Sequence, residues 1–455
     1  MKDFDKKLAE YSSNLKYSDI KEKVIHETKR KIIDSLGCAI GAFNAEPVKI
    51  LREIASNIKS KDATILGTLN RTSVDMATFV NGAMIRYLDF MDNYFYNGEY
   101  VHPEDNISAI LSVADSKNLS GKDVILATVL AYEASCRFVD FANIRKRGWD
   151  HVIWISIASS IASSKLLKLS KEKTAQAISL AITSNIPLRQ IRVGNLSMWK
   201  GLAAAYAARS SVLTSKLAEK GITGPNEIFE GEKGFFKQIT GKSNLRIENF
   251  CKRGDKFKIV EVNIKKYPVE TNALSAVEAA FNVRKKLKNI KNINKINIYT
   301  FDSAYEIIAD KEKWYPKNRE TADHSLPYIV CVALLDGKIT REQFSNERIN
   351  ANDLKNLIRK VNVYKSEECN KDYYPGSPNI VEVLLNDGNK FSSKVVNPRG
   401  SYKNPMSDSE IEDKFRNLTN KFLSAKKIDL VLDFLWNLEK AKSIKKLFPL
   451  LLVKN

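Results

Sequence analysis

From about residue 18 to residue 220, apolar positions recur at the three- to four-residue spacing of amphipathic helices. Val24, Ile25, Ile32, Ile33, Leu36 and Ile40 mark one such face. Further helices are predicted over 72–90, 121–141, 151–168, 171–185 and 198–219. The small residues of "IASSIASSK" and "GLAAAYAARSS" suit close helix–helix contact, and Gly221 supplies a helix stop. Near residue 256 the texture changes: "KFKIVEVNIKKYPV", "INKINIYTF", "LIRKVNVYK" and "IVEVLLNDGNKFSSKVV" alternate polar with β-branched residues, the period of a strand. Asn386-Asp387-Gly388 between two such runs predicts a hairpin turn. Helical patterns intervene at 272–288, 321–336 and 351–359, and resume after Pro405. The fold class expected is mostly α, a large all-helical domain plus a smaller α+β domain. Residues 1–256 supply the first part of the helical domain, 257–400 the α+β domain, and 401–455 are C-terminal helices returning to the first.

A chain of 455 residues is long enough for two hydrophobic cores, and with 44% hydrophobic and 28% charged residues it has the balance of a folded globular protein. The net charge of +20 raises a nucleic-acid partner or an anionic substrate. Its distribution favours a solvated surface: lysines are scattered through every segment, and the dense run Arg284–Lys291 reads as one helix face. No nucleic-acid partner is therefore expected. A non-catalytic nucleic-acid-binding protein is the alternative of a different class, and it predicts binding that weakens steeply with salt. Cysteines 38, 136, 251, 331 and 369 are odd in number and set in apolar surroundings, as buried free thiols of a reducing compartment are. Neither C-x-x-C nor H-x-x-x-H occurs, so no metal site and no cofactor are expected. The N-terminus lacks an apolar targeting core, and the stretch Val152–Ala162 is broken by serines and too short to cross a bilayer. A cytoplasmic protein without a membrane partner is expected.

Only four histidines occur, and three sit in unusual surroundings: His102 in "YVHPEDN", His151 in "RGWDHV" and His324 in "ETADHSLPY". His26, in a Lys-rich amphipathic helix, reads as structural. Pro103 disfavours helix at His102, which predicts a loop there, and Asp150 is a plausible cap for a helix opening at His151. Asp89 and Asp92 are three apart in "RYLDFMDNY", so a helix continuing through them would put both carboxylates on one side and raise one pKa. Exposed helix-end acids are the plainer alternative. "LRQIRVGNLSMWKG" gathers Arg189, Arg192 and Lys200 around a loop opening a helix at Gly201, an anion site by its physics or simply a basic loop in a basic protein.

In this order and nearly end to end, "RYLDFMDNY…VHPEDN", "GWDHV", "RQIRVGNLSMWKG", "GPNEIFEGEKGFF", "KYPVETNALSAVEAA", "DSAYE", "ETADHSLPYIV" and "NPMSDSEIEDKF" resemble the MmgE/PrpD family. The resemblance implies a helical domain with an α+β lid, a homodimer, and cofactor-independent chemistry on a small polycarboxylate. That family includes 2-methylcitrate dehydratase, cis-aconitate decarboxylase and iminodisuccinate epimerase. The resemblance implies active-site positions at Asp89, His102 and His151, around the Arg192–Lys200 loop and at His324; with Asp92 and Arg189 added from the residue pattern, the catalytic expectations are Asp89, His102 and His151 and the substrate-binding ones Asp92, Arg189, Arg192, Lys200 and His324. All three activities move a proton at a carbon beside a carboxylate, which needs a base and cationic carboxylate clamps. Met91 and Asn93 stand where the decarboxylase branch carries additional Asp and a Thr, which argues against decarboxylation, and the "ETADHSLPY" and "RVGNLSMWKG" blocks look most like the dehydratase branch, which implies a hydro-lyase dehydrating a 2-methylcitrate-like or citrate-like acid. An epimerase or decarboxylase is the alternative within the family. Asn272 stands where many relatives carry a His.

Overall fold

The computed structural model describes residues 3–194 and 196–454. The chain divides into two compact units, one comprising residues 1–191, 198–264 and 407–455, the other residues 192–197 and 265–406. The division falls eight residues later than the change of texture in the sequence. Among the described residues no helix is long and apolar enough to cross a membrane.

The first unit is helical. Helices Glu22–Gly41, Val74–Tyr87, Gly121–Phe141, Val152–Leu166, Lys171–Ser184 and Ala203–Glu219 form where the apolar spacing predicts them. The small-residue runs let these helices approach closely. A Cβ on Gly82 would lie 2.8 Å from the Ala205 Cβ, and Ser211 Oγ donates to the Ser156 carbonyl at 2.8 Å. The "GPNEIFEGEKGFF" block becomes an aromatic cluster. Phe229 packs edge-on to Phe4 at 4.9 Å, which fastens the first helix, Phe4–Asn14, to the core, and Phe138 stacks on Trp154 at 5.4 Å.

The C-terminal segment packs within this unit through helices Asp408–Thr419 and Ala425–Trp436. It approaches closely at Gly121, whose N–H donates to the Ala441 carbonyl at 2.9 Å and where a Cβ would sit 1.7 Å from the Leu438 carbonyl oxygen. Gly121→Ala is therefore expected to cost about 2 kcal/mol or more, because backbone rather than a movable side chain must give way. Denaturant unfolding checks this, and an unchanged midpoint would contradict the packing described.

The second unit is α+β. Its four-stranded sheet runs Val361–Lys365, Ile293–Thr300, Asn379–Leu385, Lys390–Val395 across its width. The first pair is parallel and the others antiparallel, and the last two strands are joined by the Asn386–Asn389 turn with Gly388 at φ 85°. Helices Leu274–Arg284 and Leu326–Asp336 share one apolar core with the sheet.

Three expectations are corrected. Residues 256–269 are not a strand: Lys258–Glu261 is a 3-10 turn, and only Asn263 makes an isolated bridge, to Asn93. Side chains rather than a neighbouring strand satisfy this backbone, since Glu133 accepts from the Lys258 N–H at 2.8 Å and Lys31 donates to the Val262 carbonyl at 2.6 Å. The pattern over 321–336 is two helices, because Pro327 restarts the chain behind a Ser325 cap. Met198–Gly201 is a 3-10 turn, and the helix expected to open at Gly201 begins at Ala203.

Candidate active site

The helix Val74–Tyr87 stops before the acidic pair, so Asp89 and Asp92 do not share a helix face. Asp89 takes φ 50°, a left-handed conformation that Asp tolerates better than most side chains, and the chain reverses there. This brings its buried carboxylate to the Arg86 guanidinium at 2.5 Å and the Lys200 ammonium at 3.6 Å. The turn Met198–Gly201 supplies Lys200 by packing on the end of the same helix, where a Cβ on Gly201 would lie 3.6 Å from the Tyr87 ring. Asp89, Arg86 and Lys200 are all nearly inaccessible to solvent, at 2%, 2% and 4%. Each ion loses hydration worth several kcal/mol, which their mutual attraction must offset.

Beyond Asp89 the chain forms a short hairpin, Tyr94–Tyr96 with Glu99–Val101, and His102 follows it. His102 is extended, at φ −107°, and Pro103 opens a 3-10 turn after it, as the sequence predicts. Its ring meets the His151 ring edge-on, with centroids 5.5 Å apart. His151 immediately precedes the helix Val152–Leu166, and the Asp150 carboxylate accepts from the Val152 N–H at 3.2 Å. The same carboxylate lies 3.5 Å from His151 Nδ1. Segment 148–150 is held against 187–189: Asp150 N–H donates to the Pro187 carbonyl at 3.0 Å, and Arg189 N–H to the Gly148 carbonyl at 2.9 Å. Arg189 thus belongs to the surroundings of the His151 helix start.

Asp92 has a different setting from the one its spacing suggests. It is fully buried, and its carboxylate accepts from the Tyr132 hydroxyl at 2.7 Å and the Glu104 N–H at 3.3 Å. Burial pushes the Asp92 carboxyl up to about 7 and the Glu104 carboxyl well above its ordinary range, with the nearby Asp92 charge adding to the latter. Burial likewise raises Asp34, although Lys414 sits 2.6 Å from it, and lowers Lys31.

Arg192 falls in the 192–197 segment of the second unit. His324, also there, has Nδ1 at 2.6 Å from the buried Asp323 carboxylate, whose backbone carbonyl accepts from the Glu270 N–H at 2.8 Å. Asn272 is buried, its N–H donating to Glu270 at 2.7 Å and its carbonyl accepting from Asn379 at 2.7 Å. All five cysteines are buried thiols outside any disulfide. The sequence reasoning passed over Arg86, Glu104, Tyr132, Lys31 and Lys414. A signal existed for Arg86, three residues before Asp89, and for Lys31, a cation inside an apolar helix face.

The sequence model of the MmgE/PrpD N-terminal domain matches residues 6–248, and that of the MmgE/PrpD C-terminal domain matches residues 267–438. The chain is 28% identical to 2-methylcitrate dehydratase of Salmonella typhimurium over 87% of its length and 85% of the relative's. It is 28% identical to the probable 2-methylcitrate dehydratase of Saccharomyces cerevisiae, covering 94% and 88% of the two chains. Human cis-aconitate decarboxylase is 26% identical over 93% of this chain and 89% of its own. With both domain models matched in order across most of its length, the chain belongs to the MmgE/PrpD family.

Proposed function

We propose that this protein is a hydro-lyase that removes water from a 2-methylcitrate-like or citrate-like polycarboxylate to give the corresponding cis-aconitate. The observation that carries the reading is the buried imidazole pair, His102 against His151, in the same unit that brings Asp89 and Lys200 together. Similarity to dehydratases along most of both chains supports it.

Dehydration needs a proton taken from carbon, the freed electron pair forming the double bond, and a hydroxyl leaving with a proton as water. Two imidazoles can divide this work, one accepting and one donating. In this reading His151 carries the donated proton, supported by the Asp150 carboxylate 3.5 Å from its Nδ1, which would pair with the cationic ring. His102 accepts the carbon proton. Lys200, with Arg189, holds substrate carboxylates and stabilises the charge that develops as the proton leaves. Arg192 and His324 are the substrate-binding candidates of the second unit, and Asp92 is assigned away from direct contact with substrate.

The human relative makes decarboxylation the second reading. Against it, Met91 is buried beside Arg86, and Asn93 is held by Asn263 through both backbone and side chain, at 2.9–3.0 Å. Neither offers a proton to a substrate. Incubation with citrate, 2-methylcitrate, cis-aconitate and iminodisuccinate, with products identified by NMR, tests the proposal. Water loss from one of the two citrates is expected, and turnover of iminodisuccinate alone would replace it with the epimerase. Because an imidazole protonates the leaving hydroxyl in this reading, protein treated with EDTA keeps its activity. A loss restored by iron or zinc would overturn that part.

A further inference from the structure

The buried acids beside His102 stand at a structurally defined place. Asp92 enters the hairpin and Glu104 leaves it, and their backbones and side chains are bonded reciprocally. Asp92 N–H donates to Glu104 Oε2 at 2.9 Å, and Glu104 N–H donates to Asp92 Oδ1 at 3.3 Å. The Tyr132 hydroxyl holds Asp92 Oδ2 at 2.7 Å, and Ser35 Oγ reaches Glu104 Oε2 at 3.4 Å. At the far end of the hairpin, Glu99 accepts from the Ile144 N–H at 2.8 Å and the Arg145 N–H at 3.2 Å. The peptide of Asp92 is thereby fixed on both sides, and its carbonyl oxygen lies 2.7 Å from His102 Nδ1.

A backbone carbonyl has no hydrogen to give, so at this distance Nδ1 must be the donor. Neutral imidazole in water prefers its proton on Nε2. Here the fixed carbonyl reverses that preference, as outer partners of an imidazole commonly do.

We propose that Asp92 and Glu104 are positioning residues that close the base of the hairpin and hold His102 as its Nδ1–H tautomer, leaving Nε2 as the atom that takes the substrate proton. The inference rests on the role given to His102 above, but the tautomer is observable without turnover. The remaining charged groups around the clip, Lys31, Asp34 and Lys414, reach it through the field that shifts its carboxyl groups.

The test uses full-length protein labelled with nitrogen-15 histidine. With four histidines in the chain, single His→Asn variants assign the signals. Wild-type neutral His102 is expected to show a protonated Nδ1 and an unprotonated Nε2. Asp92→Ala and Glu104→Ala are expected to move the signal toward Nε2–H and to lower kcat by about tenfold or more, with KM changing less. Glu104→Gln keeps an oxygen to accept the Asp92 N–H, and retains both the tautomer and most of kcat. A wild-type His102 carrying its proton on Nε2 overturns the proposal, as do folded alanine variants with unchanged tautomer and kcat. If the alanine variants do not fold, the wild-type spectrum and the Gln variant decide it. Full turnover in His102→Asn with the wild-type tautomer as described would instead remove the catalytic role and leave the clip standing.

Discussion

His102→Asn and His151→Asn are each expected to lower turnover by about a hundredfold or more, the scale of general acid–base contributions, while melting at the wild-type temperature. Asparagine is the appropriate replacement. At position 102 its amide can still donate to the Asp92 carbonyl, which accepts from the ring at 2.7 Å, so the hairpin keeps its anchor while the proton acceptor disappears. At position 151 the helix keeps the Asp150 cap, which acts through the Val152 N–H. The control is His26→Asn. His26 stacks on Trp436 and lies 3.1 Å from Asp408 with its side chain 42% exposed, so its loss leaves turnover unchanged and stability nearly so. Steady-state kinetics beside thermal melts separate the alternatives. Early melting with normal turnover per folded molecule would make the two histidines packing residues.

Arg86→Leu is expected to destabilise the protein by about 3 kcal/mol and to lower activity as well. The guanidinium and the Asp89 carboxylate are both nearly inaccessible, and the substitution removes a buried cation from a buried anion. Lys200 remains 3.6 Å away and compensates in part, at the expense of its freedom to meet a substrate carboxylate. The double variant Arg86→Leu/Asp89→Asn should recover much of the lost stability, because it removes the stranded charge, and should remain inactive. Denaturant unfolding of wild type, both single variants and the double variant measures the coupling. Additive losses would show that the pair does not act as described.

The helical half of the fold was legible because burial imposes period: Val24 through Ile40 and the Ala- and Ser-rich segments mark faces that only helices of close approach can use. The strands at 293–300, 361–365 and 379–395 were legible for the corresponding reason. Residues 256–264 misled because alternation records which side chains are buried and not what the backbone bonds to; Glu133 and Lys31 take the place of a neighbouring strand. The histidines stood out by rarity and by their neighbours Pro103 and Asp150. The fates of Asp89 and Asp92 were not legible, because the helix stops at Tyr87, before both, and they turn on the left-handed backbone of Asp89 itself and on Tyr132, forty positions downstream of Asp92.

On the proposed function, this site adds or removes water at a polycarboxylate without losing carbon. Supplying cis-aconitate in heavy water and following carbon and deuterium by NMR decides it. By microscopic reversibility a hydro-lyase returns a hydroxy acid with all the carbons of cis-aconitate and one deuterium on carbon, delivered by the group that abstracts the proton in the forward direction. Release of carbon dioxide with a product one carbon shorter would contradict the account.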